Sequence, residues 1–280
     1  MSYEGEEQEC DAAVKLLTDG KAPQAIEAFT AILKKNKKSG LAWNNRGIAL
    51  MQLGHAFDAI LNIEKAIEHT PGQAAYHNNL GAAYFDSEDM DSAIESYTKS
   101  LQFQPAFSHA KMNMGNALKF KGEVSKSLDF YREAIQDDPE YVDAHLNLSF
   151  AELAAGNYEA GWKEFDWRWK SHQMPPRGLE IPEWNGEPLE GKTLLVYGEQ
   201  GLGDQVQFSR YAPLVKARYG GTVFYEVRHA LTRLMRTLDG IDGVLTLGEK
   251  VPKTIDYAVP VMTLPRILGT TVETIPWSGP

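Results

Sequence analysis

The 280-residue sequence holds a single cysteine, Cys10. One cysteine excludes an intramolecular disulfide and any cysteine-rich metal site, and it fits a reducing compartment. No apolar run approaches the roughly 18 residues that mark a membrane-spanning helix, and the first residues, MSYEGEEQEC, are acidic, unlike a secretory leader. The expectation is a cytoplasmic chain with no membrane partner. Basic residues are also in deficit: 28 Lys and Arg stand against 38 Asp and Glu, a formal charge of -10. Such a surface lacks the Lys/Arg excess that nucleic acid or an anionic membrane would need, so neither is expected as a partner. The one basic cluster, Lys34, Lys35, Lys37 and Lys38, falls where a helix C-terminus is expected, a place that favours cations without any ligand. The seven histidines show no metal spacing such as H-E-x-x-H, and no local signature of a serine or cysteine nucleophile is present. No metal or cofactor is expected.

What the chain does have is a strict period. Gly47, Gly81 and Gly115 are 34 residues apart, and so are Pro71, Pro105 and Pro139. The stretch 74–107, AAYHNNLGAAYFDSEDMDSAIESYTKSLQFQPAF, carries two amphipathic helical patterns joined by a short acidic turn. Residue size explains the landmarks. Gly81 is placed where the two helices of a unit cross, Ala93 offers the partner helix an equally short side chain, and Tyr84, Tyr97 and Leu101 fill the gap on either side. Pro105 cannot continue the second helix and ends it. A 34-residue, two-helix period is the signature of the tetratricopeptide repeat. Units at about 40–73, 74–107 and 108–141 are regular. The first, about 6–39, is degenerate, as a solenoid's terminal repeat tends to be. A fifth begins at Val142.

Asparagine recurs with the same period. Asn45, Asn79, Asn113 and Asn147 are 34 apart, and Asn44 and Asn78 precede two of them. They fall on the first helix of each unit, which lines the inner surface of a repeat superhelix. An amide donates and accepts at once, so a ladder of them can hold an extended polypeptide by its backbone. The alternative is that each amide bonds within the solenoid. His77 and His145 share a repeat position, with Lys111 between them, and read as polar residues of the inner groove.

Beyond the fifth unit's first helix the sequence runs YEAGWKEFDWRWK. Tyr158, Trp162, Phe165 and Trp169 are spaced i, i+4, i+7 and i+11, which predicts one helical face of four aromatics. That face suits docking onto a following domain, or, alternatively, stacking against a ligand. Residues 171–191 form a Pro/Gly-rich connector in which Trp184 is expected to pack back on an apolar surface. Domain boundaries follow: a solenoid of about five helix pairs over 1–170, the connector, and a small lobe over 192–280. In the lobe, strands and helices alternate. TLLVYG (193–198), TVFYEV (222–227), GVLTLG and DYAVPV read as strands. Phe208, Tyr211, Ala212 and Val215 mark one helix; Leu231, Leu234, Met235 and Leu238 mark another. The fold class is therefore α + α/β, a helical solenoid followed by a Rossmann-like parallel sheet.

The loop Gly198–Asp204 follows the first of these strands, where such sheets bind ligands. Glu199, Gln200, Gly201 and Gly203 are its candidate binding residues, the glycines allowing close approach of backbone N–H groups. GEQGLG matches neither the Walker A loop nor the G-x-G-x-x-G spacing, and the Asp204 carboxylate would repel phosphate there. Asp204 with Gln207 three residues on reads as a capping box; a general base is the alternative, and one residue can serve both.

GWKEFDWRWK, PEWNGEPLEGKTLLVYGEQGLGDQVQFSRYAPLV and LPRILGTTVETIP resemble bacterial tetratricopeptide proteins fused to a glycosyltransferase domain. The lobe is similar to the N-terminal half of heptosyltransferase-like enzymes of the two-lobed glycosyltransferase-B fold. The resemblance implies that Asp204 matches the base proposed for the acceptor hydroxyl, and that a nucleotide-sugar or a sugar acceptor binds the lobe. The asparagine row resembles that of O-linked N-acetylglucosamine transferases, where it holds protein substrate. In the two-lobed fold the donor is held chiefly by the C-terminal lobe, which would begin near Pro280. The expectation is thus a polypeptide-binding module with an acceptor-side lobe inactive alone, or alternatively a transferase completed by a further lobe.

Overall fold

The computed structural model describes residues 3–171, 177–251 and 254–276. The chain divides into two compact units, Met1–Ala151 and Glu152–Pro280. The division falls at Ala151/Glu152, before the aromatic stretch, and not at the Pro/Gly-rich connector. Among the described residues no helix is long and apolar enough to cross a membrane.

The first unit is built of antiparallel helix pairs: α1 (Tyr3–Thr18) with α2 (Ala22–Lys35), α3 (Gly40–Gln52) with α4 (Ala56–His69), α5 (Ala74–Asp86) with α6 (Met90–Phe103), and α7 (Ser108–Phe120) with α8 (Val124–Asp137). Helix α9 (Val142–Ala154) follows. Each second helix buries an i, i+4, i+7 stripe: Ala59, Ile63 and Ala66 on α4 recur as Ala93, Tyr97 and Ser100 on α6, and as Ser127, Tyr131 and Ala134 on α8. Helices α4, α6 and α8 end two residues before Pro71, Pro105 and Pro139, as the ring's missing N–H requires.

The crossing of each pair is set by one glycine. A Cβ built on Gly81 would lie 2.5 Å from the Tyr97 ring, one on Gly115 2.5 Å from the Tyr131 ring, and one on Gly47 2.6 Å from Ile63. The large side chain of the second helix therefore rests directly on the backbone of the first. The pairs are joined by turns that need a left-handed residue at the same repeat position. Gly20, Gly54, Gly122 and Gly156 supply it with φ of 73°, 77°, 81° and 85°; in the third unit Glu88 occupies it at φ 64°.

The second unit opens with α10 (Tyr158–Phe165) and a 3-10 turn over Asp166–Lys170. The α-helix stops at Phe165, so the expected single face of four aromatics is broken. Trp162 and Phe165 enter the core, whereas Trp169 lies beyond the helix. Four parallel strands follow, β1 (Thr193–Tyr197), β2 (Thr222–Val227), β3 (Gly243–Thr246) and β4 (Tyr257–Pro260), in spatial order β3-β2-β1-β4. In register, Leu195 pairs with Phe224 and Ala258, and Tyr225 with Val244. Period-two alternation splits the side chains. Leu194, Val196, Val223, Tyr225 and Val227 join Trp162, Phe165 and Phe208 in the main core, while Leu195, Phe224 and Ala258 face a smaller cluster.

Between β1 and β2 lie α11 (Leu202–Phe208) and α12 (Tyr211–Tyr219), two helices where the pattern predicts one; Phe208, Tyr211, Ala212 and Val215 are buried as expected. Helix α13 (Thr232–Met235), after β2, and α14 (Leu264–Ile267), after β4, are single turns. Leu231 and Met235 are buried, but Leu234 is exposed because the helix is too short to present the predicted face. The connector behaves as a strap: Trp184 is fully buried, its backbone N–H donates to the Ala258 carbonyl and its indole to the Glu187 carbonyl.

Two aspartates tie strand starts together. Asp242 accepts from Val223 N–H at 2.7 Å and Lys216 Nζ at 2.5 Å; Asp256 accepts from Thr193 N–H at 2.8 Å and Lys192 Nζ at 3.2 Å. Partial burial works to raise the Asp242 pKa, but the bonds from Lys216 and Val223 outweigh it and lower the value. The Thr193 N–H, helped by Lys192, lowers that of Asp256. A carboxyl lowered on folding contributes stability in full above its unfolded pKa of about 3.9, and that contribution is lost as pH falls through the lower folded value. The stability difference between wild type and Asp256→Asn should therefore narrow between about pH 5 and about pH 2, checked by urea titrations at each pH.

A second expectation concerns the third-unit turn. A non-glycine residue in the left-handed region costs about 1–2 kcal/mol, partly offset by glycine's greater unfolded freedom, about 0.5–1 kcal/mol. Glu88→Gly should raise the stability of the first unit by up to about 1 kcal/mol, read from denaturant midpoints in far-UV circular dichroism.

Candidate functional site

The first helices of neighbouring pairs pack directly on one another, α1 on α3, α3 on α5 and α5 on α7, more closely than the second helices do. Closer spacing on one side is what curves a stack, and the closer helices line its inner surface. The asparagines lie on these helices. Asn44 and Asn78 are buried, and Asn45, Asn79, Asn113 and Asn147 are half-buried.

Their amides bond to one another. Asn79 Nδ2 donates to Asn44 Oδ1 at 3.0 Å, and Asn113 Nδ2 to Asn78 Oδ1 at 3.0 Å. Asn44 and Asn78 donate in turn to Asn45 and Asn79, each at 3.4 Å. The buried amide of one repeat thus orients the half-buried amide of the next. The row changes in the fourth unit, where Met112 stands in place of a buried asparagine. Asn147 approaches the Met112 sulfur at 3.8 Å, and donates to the Asp143 carbonyl at 2.9 Å. Lys119 Nζ approaches Asn147 Oδ1 at 3.4 Å. Both sequence readings of the row share this geometry: Asn45 spends one acceptor internally, Asn113 one donor and Asn79 one of each, so these three keep further capacity, since an amide has two of each, whereas Asn147 directs its donors inward.

The histidines are placed differently from the sequence expectation. His77 is buried, and its Nε2–H donates to the Pro71 carbonyl at 3.0 Å while the ring stacks on Phe103. His145 Nε2 meets the Pro139 carbonyl at 3.0 Å, and in the second unit of the repeat array Trp43 Nε1 donates to the Lys37 carbonyl at 2.8 Å. All three reach six residues back across the turn between repeats. They clasp that turn and are not groove residues. At Lys111 ion pairs to Asp137 and Glu133 replace the clasp.

At the strand ends of the second unit, the loop residues are held by the protein itself. Arg168 is fully buried and forks onto Glu199: Nε donates to Oε2 at 2.9 Å, one terminal nitrogen to Oε1 at 3.1 Å. The same nitrogen donates to Thr263 Oγ1 at 2.7 Å, the other to the Phe165 carbonyl. The guanidinium lies between the Phe165 and Trp169 rings, and Glu199 also accepts from Met262 N–H. A parallel pair joins Arg177 to the buried Glu226 at the end of β2. Burial, then the Glu199 charge, pushes the Tyr197 hydroxyl up to about 12.

Gln200 takes a left-handed conformation, φ 61°, and brings Gly201 to the helix start. Asp204 is not the cap residue that its spacing to Gln207 suggests. It is the third residue of α11, and its Oδ2 reaches back to accept Gly201 N–H at 3.0 Å; its other oxygen has no partner among the described residues. Gly203 faces open space, while a Cβ on Gly198 would lie 2.6 Å from the Gln205 side chain, which would have to shift to admit it. Arg168 is the residue that pattern reading missed. Its signal was a cation set between two tryptophans in the run DWRWK, which burial obliges to find a carboxylate. Arg168→Met strands Glu199 buried and uncompensated, and should cost the second unit about 3–5 kcal/mol in urea denaturation; adding Glu199→Met should recover part of that loss.

Residues 10–62 and 74–107 match family models of the tetratricopeptide repeat. Protein FlbA of Caulobacter vibrioides is 36% identical over 63 residues, 22% of this chain and 11% of that protein, so the matched stretch spans about a tenth of the relative's length. Among solved structures, PilW, a type IV pilus biogenesis factor, aligns with TM-score 0.56 at 18% identity over 61% of this chain and 80% of its own. A thermophilic tetratricopeptide protein of Thermus thermophilus aligns with TM-score 0.54 at 17% identity over 62% and 94%. Pseudomonas aeruginosa PilF aligns with TM-score 0.55 at 14% identity over 59% and 75%. These structures share a fold with the chain. Its first unit is a tetratricopeptide-repeat solenoid.

Proposed function

We propose that the repeats capture an extended polypeptide along the amide row of α3, α5, α7 and α9, and that the second unit is an acceptor-side lobe of a sugar transferase, inactive by itself. The observation that carries the first part is the half-spent state of the row. Asn44 and Asn78 fix the orientation of Asn79 and Asn113 from beneath, and each upper amide keeps donor and acceptor capacity for a ligand. Preorientation matters because the ordering of the amides is then not charged to binding. Such a row recognises main chain, so affinity should depend weakly on peptide sequence.

Panning a random-peptide library on the intact chain tests this. Peptides recovered by the wild type should lose at least about tenfold in affinity to the Asn79→Ala/Asn113→Ala variant, from hydrogen bonds of about 0.5–1.5 kcal/mol each. Thermal melts of the variant separate lost contacts from lost folding. Unchanged affinity in a folded variant would remove the ladder from the mechanism.

A working transferase is the second reading. The parallel order β3-β2-β1-β4, with a glycine-containing loop after β1, is compatible with a Rossmann-like lobe that binds ligands at its strand ends. The unpartnered Asp204 oxygen is compatible with a base for an acceptor hydroxyl, the reaction then drawing its nucleotide-sugar from a further lobe. Calorimetric titration with nucleotide sugars and nucleoside diphosphates tests this reading. Micromolar binding favours it, and its absence leaves the repeats as the functional part.

A further inference from the structure

One position of the repeat, one residue before the crossing glycine, is apolar in the third, fourth and fifth units, where Leu80, Met114 and Leu148 stand. Met114 and Leu148 are buried there. In the second unit the same position holds Arg46, half-buried and fixed by neutral groups from two helices. Its Nε donates to Asn62 Oδ1 on α4 at 2.6 Å and its Nη1 to Thr30 Oγ1 on α2 at 3.3 Å, while the guanidinium carbon lies 4.5 Å from the Trp43 ring centre. Asn62 is held in turn, its amide donating to the Asp58 carbonyl at 2.7 Å. Among the described residues Arg46 Nη2 has no partner and no carboxylate pairs with the guanidinium. Burial lowers the Arg46 pKa.

The surface beside it departs from the repeat in the opposite sense. Helix α4 exposes Phe57 (77%) and Leu61 (61%) one turn apart. The corresponding exposed residues are Asp91 and Glu95 on α6, and Ser125 and Asp129 on α8. Trp43, Arg46 and Leu61 line an open notch of about 480 Å³. Glu64 and Glu68 line it too, but Glu68 pairs with Lys65 at 2.5 Å, and Glu64 accepts from the Tyr84 hydroxyl at 3.3 Å. One unit thus carries a cation where the others bury an apolar side chain, and large apolar side chains where the others are polar. Neither exchange serves the solenoid, since a charge drawn partly out of water without a counter-ion costs stability, and exposed apolar side chains add none.

A guanidinium held at two of its nitrogens with the third open is complemented by a carboxylate, and two apolar side chains four apart on a helix by the apolar face of another helix. We propose that this outer face docks an amphipathic helix of a partner protein, an aspartate or glutamate of which enters the notch to pair with Arg46 while an apolar residue within one turn of it packs on Phe57 and Leu61. The site is formed chiefly by a second helix of the array and is separate from the amide row on the first helices.

The experiment pans a phage-displayed library of helical peptides, randomised on one face, against the intact chain and its Arg46→Leu variant. Leucine occupies that position at Leu80 and Leu148, so the variant should fold, which thermal melts check. The expected result is a column of Asp or Glu within one turn of an apolar column, lost with Arg46→Leu. A selected peptide should bind at least about tenfold more weakly after Arg46→Leu, or after Glu→Gln in the peptide, and the two changes together should add little. Phe57→Asp, which copies Asp91, should weaken it as well, whereas Asn79→Ala/Asn113→Ala should leave it unchanged. Failure to recover such peptides, or their equal binding by folded Arg46→Leu, would overturn the inference. Peptides lost only with Asn79→Ala/Asn113→Ala would occupy the amide groove, and would overturn the outer site while supporting the groove. Sedimentation of the peptide-free chain is the remaining check: a dimer dissociated by Phe57→Asp would assign the face to a second copy and overturn the partner helix.

Discussion

The repeats depend on the bare backbone of one residue per unit. Where Gly47, Gly81 and Gly115 lie under Ile63, Tyr97 and Tyr131, no side chain separates the two helices, and the large residue fills the space on the backbone itself. Close crossing brings the alanine and serine stripes of the second helices into contact, and these recur every 34 residues with the same burial. The first unit departs from this pattern with Ala13 opposite Phe29, both buried. A core assembled from such short side chains has little slack, because interiors pack near crystal density. The positions of the inner helices, and of everything they carry, follow from that crossing.

The asparagine row is one such consequence. Since α3, α5 and α7 stack directly, the buried amide on one helix can reach the half-buried amide on the next. On the proposed reading function and structure use the same side chains, Asn79 and Asn113 dividing their capacity between the neighbouring repeat and the groove. Where Met112 interrupts the row, Asn116 and Asn147 approach its sulfur, and Asn147 accepts from Lys119. The histidines show the reverse outcome. They share a period with the asparagines, yet a reach of six residues brings His77 and His145 to proline carbonyls whose usual intrahelical donors are absent past the helix ends.

The second unit is held in a different way. Its sheet has apolar faces, but its strand ends are held by ionic groups: Arg168 from the 3-10 turn holds Glu199 in the loop after β1, and Arg177 from the connector holds Glu226 at the end of β2. A carboxylate bound by a buried guanidinium and a backbone N–H has little left to offer a ligand. Among the loop residues singled out by pattern, Asp204 has one oxygen without a partner among the described residues, while both Glu199 oxygens are bonded.

The period of 34, the glycines that mark the helix crossings and the prolines that end helices were all legible in the residues alone, because they are local consequences of size and of a missing N–H. So were the four strands, from short apolar runs. The extent of α10 was not, since an aromatic spacing cannot tell an α-helix from one that tightens into a 3-10 turn at Asp166. Nor was the role of Arg168, Glu199 or the clasping histidines. Each of those depends on a partner distant in sequence or across a turn, and spacing along a chain carries no information about which polar group a buried donor will meet. Sequence by itself determined the repeat and its inner row of amides; the tertiary structure decided how those amides are oriented and which carboxylates the buried guanidinium groups meet, because only packing sets the distances over which they bond.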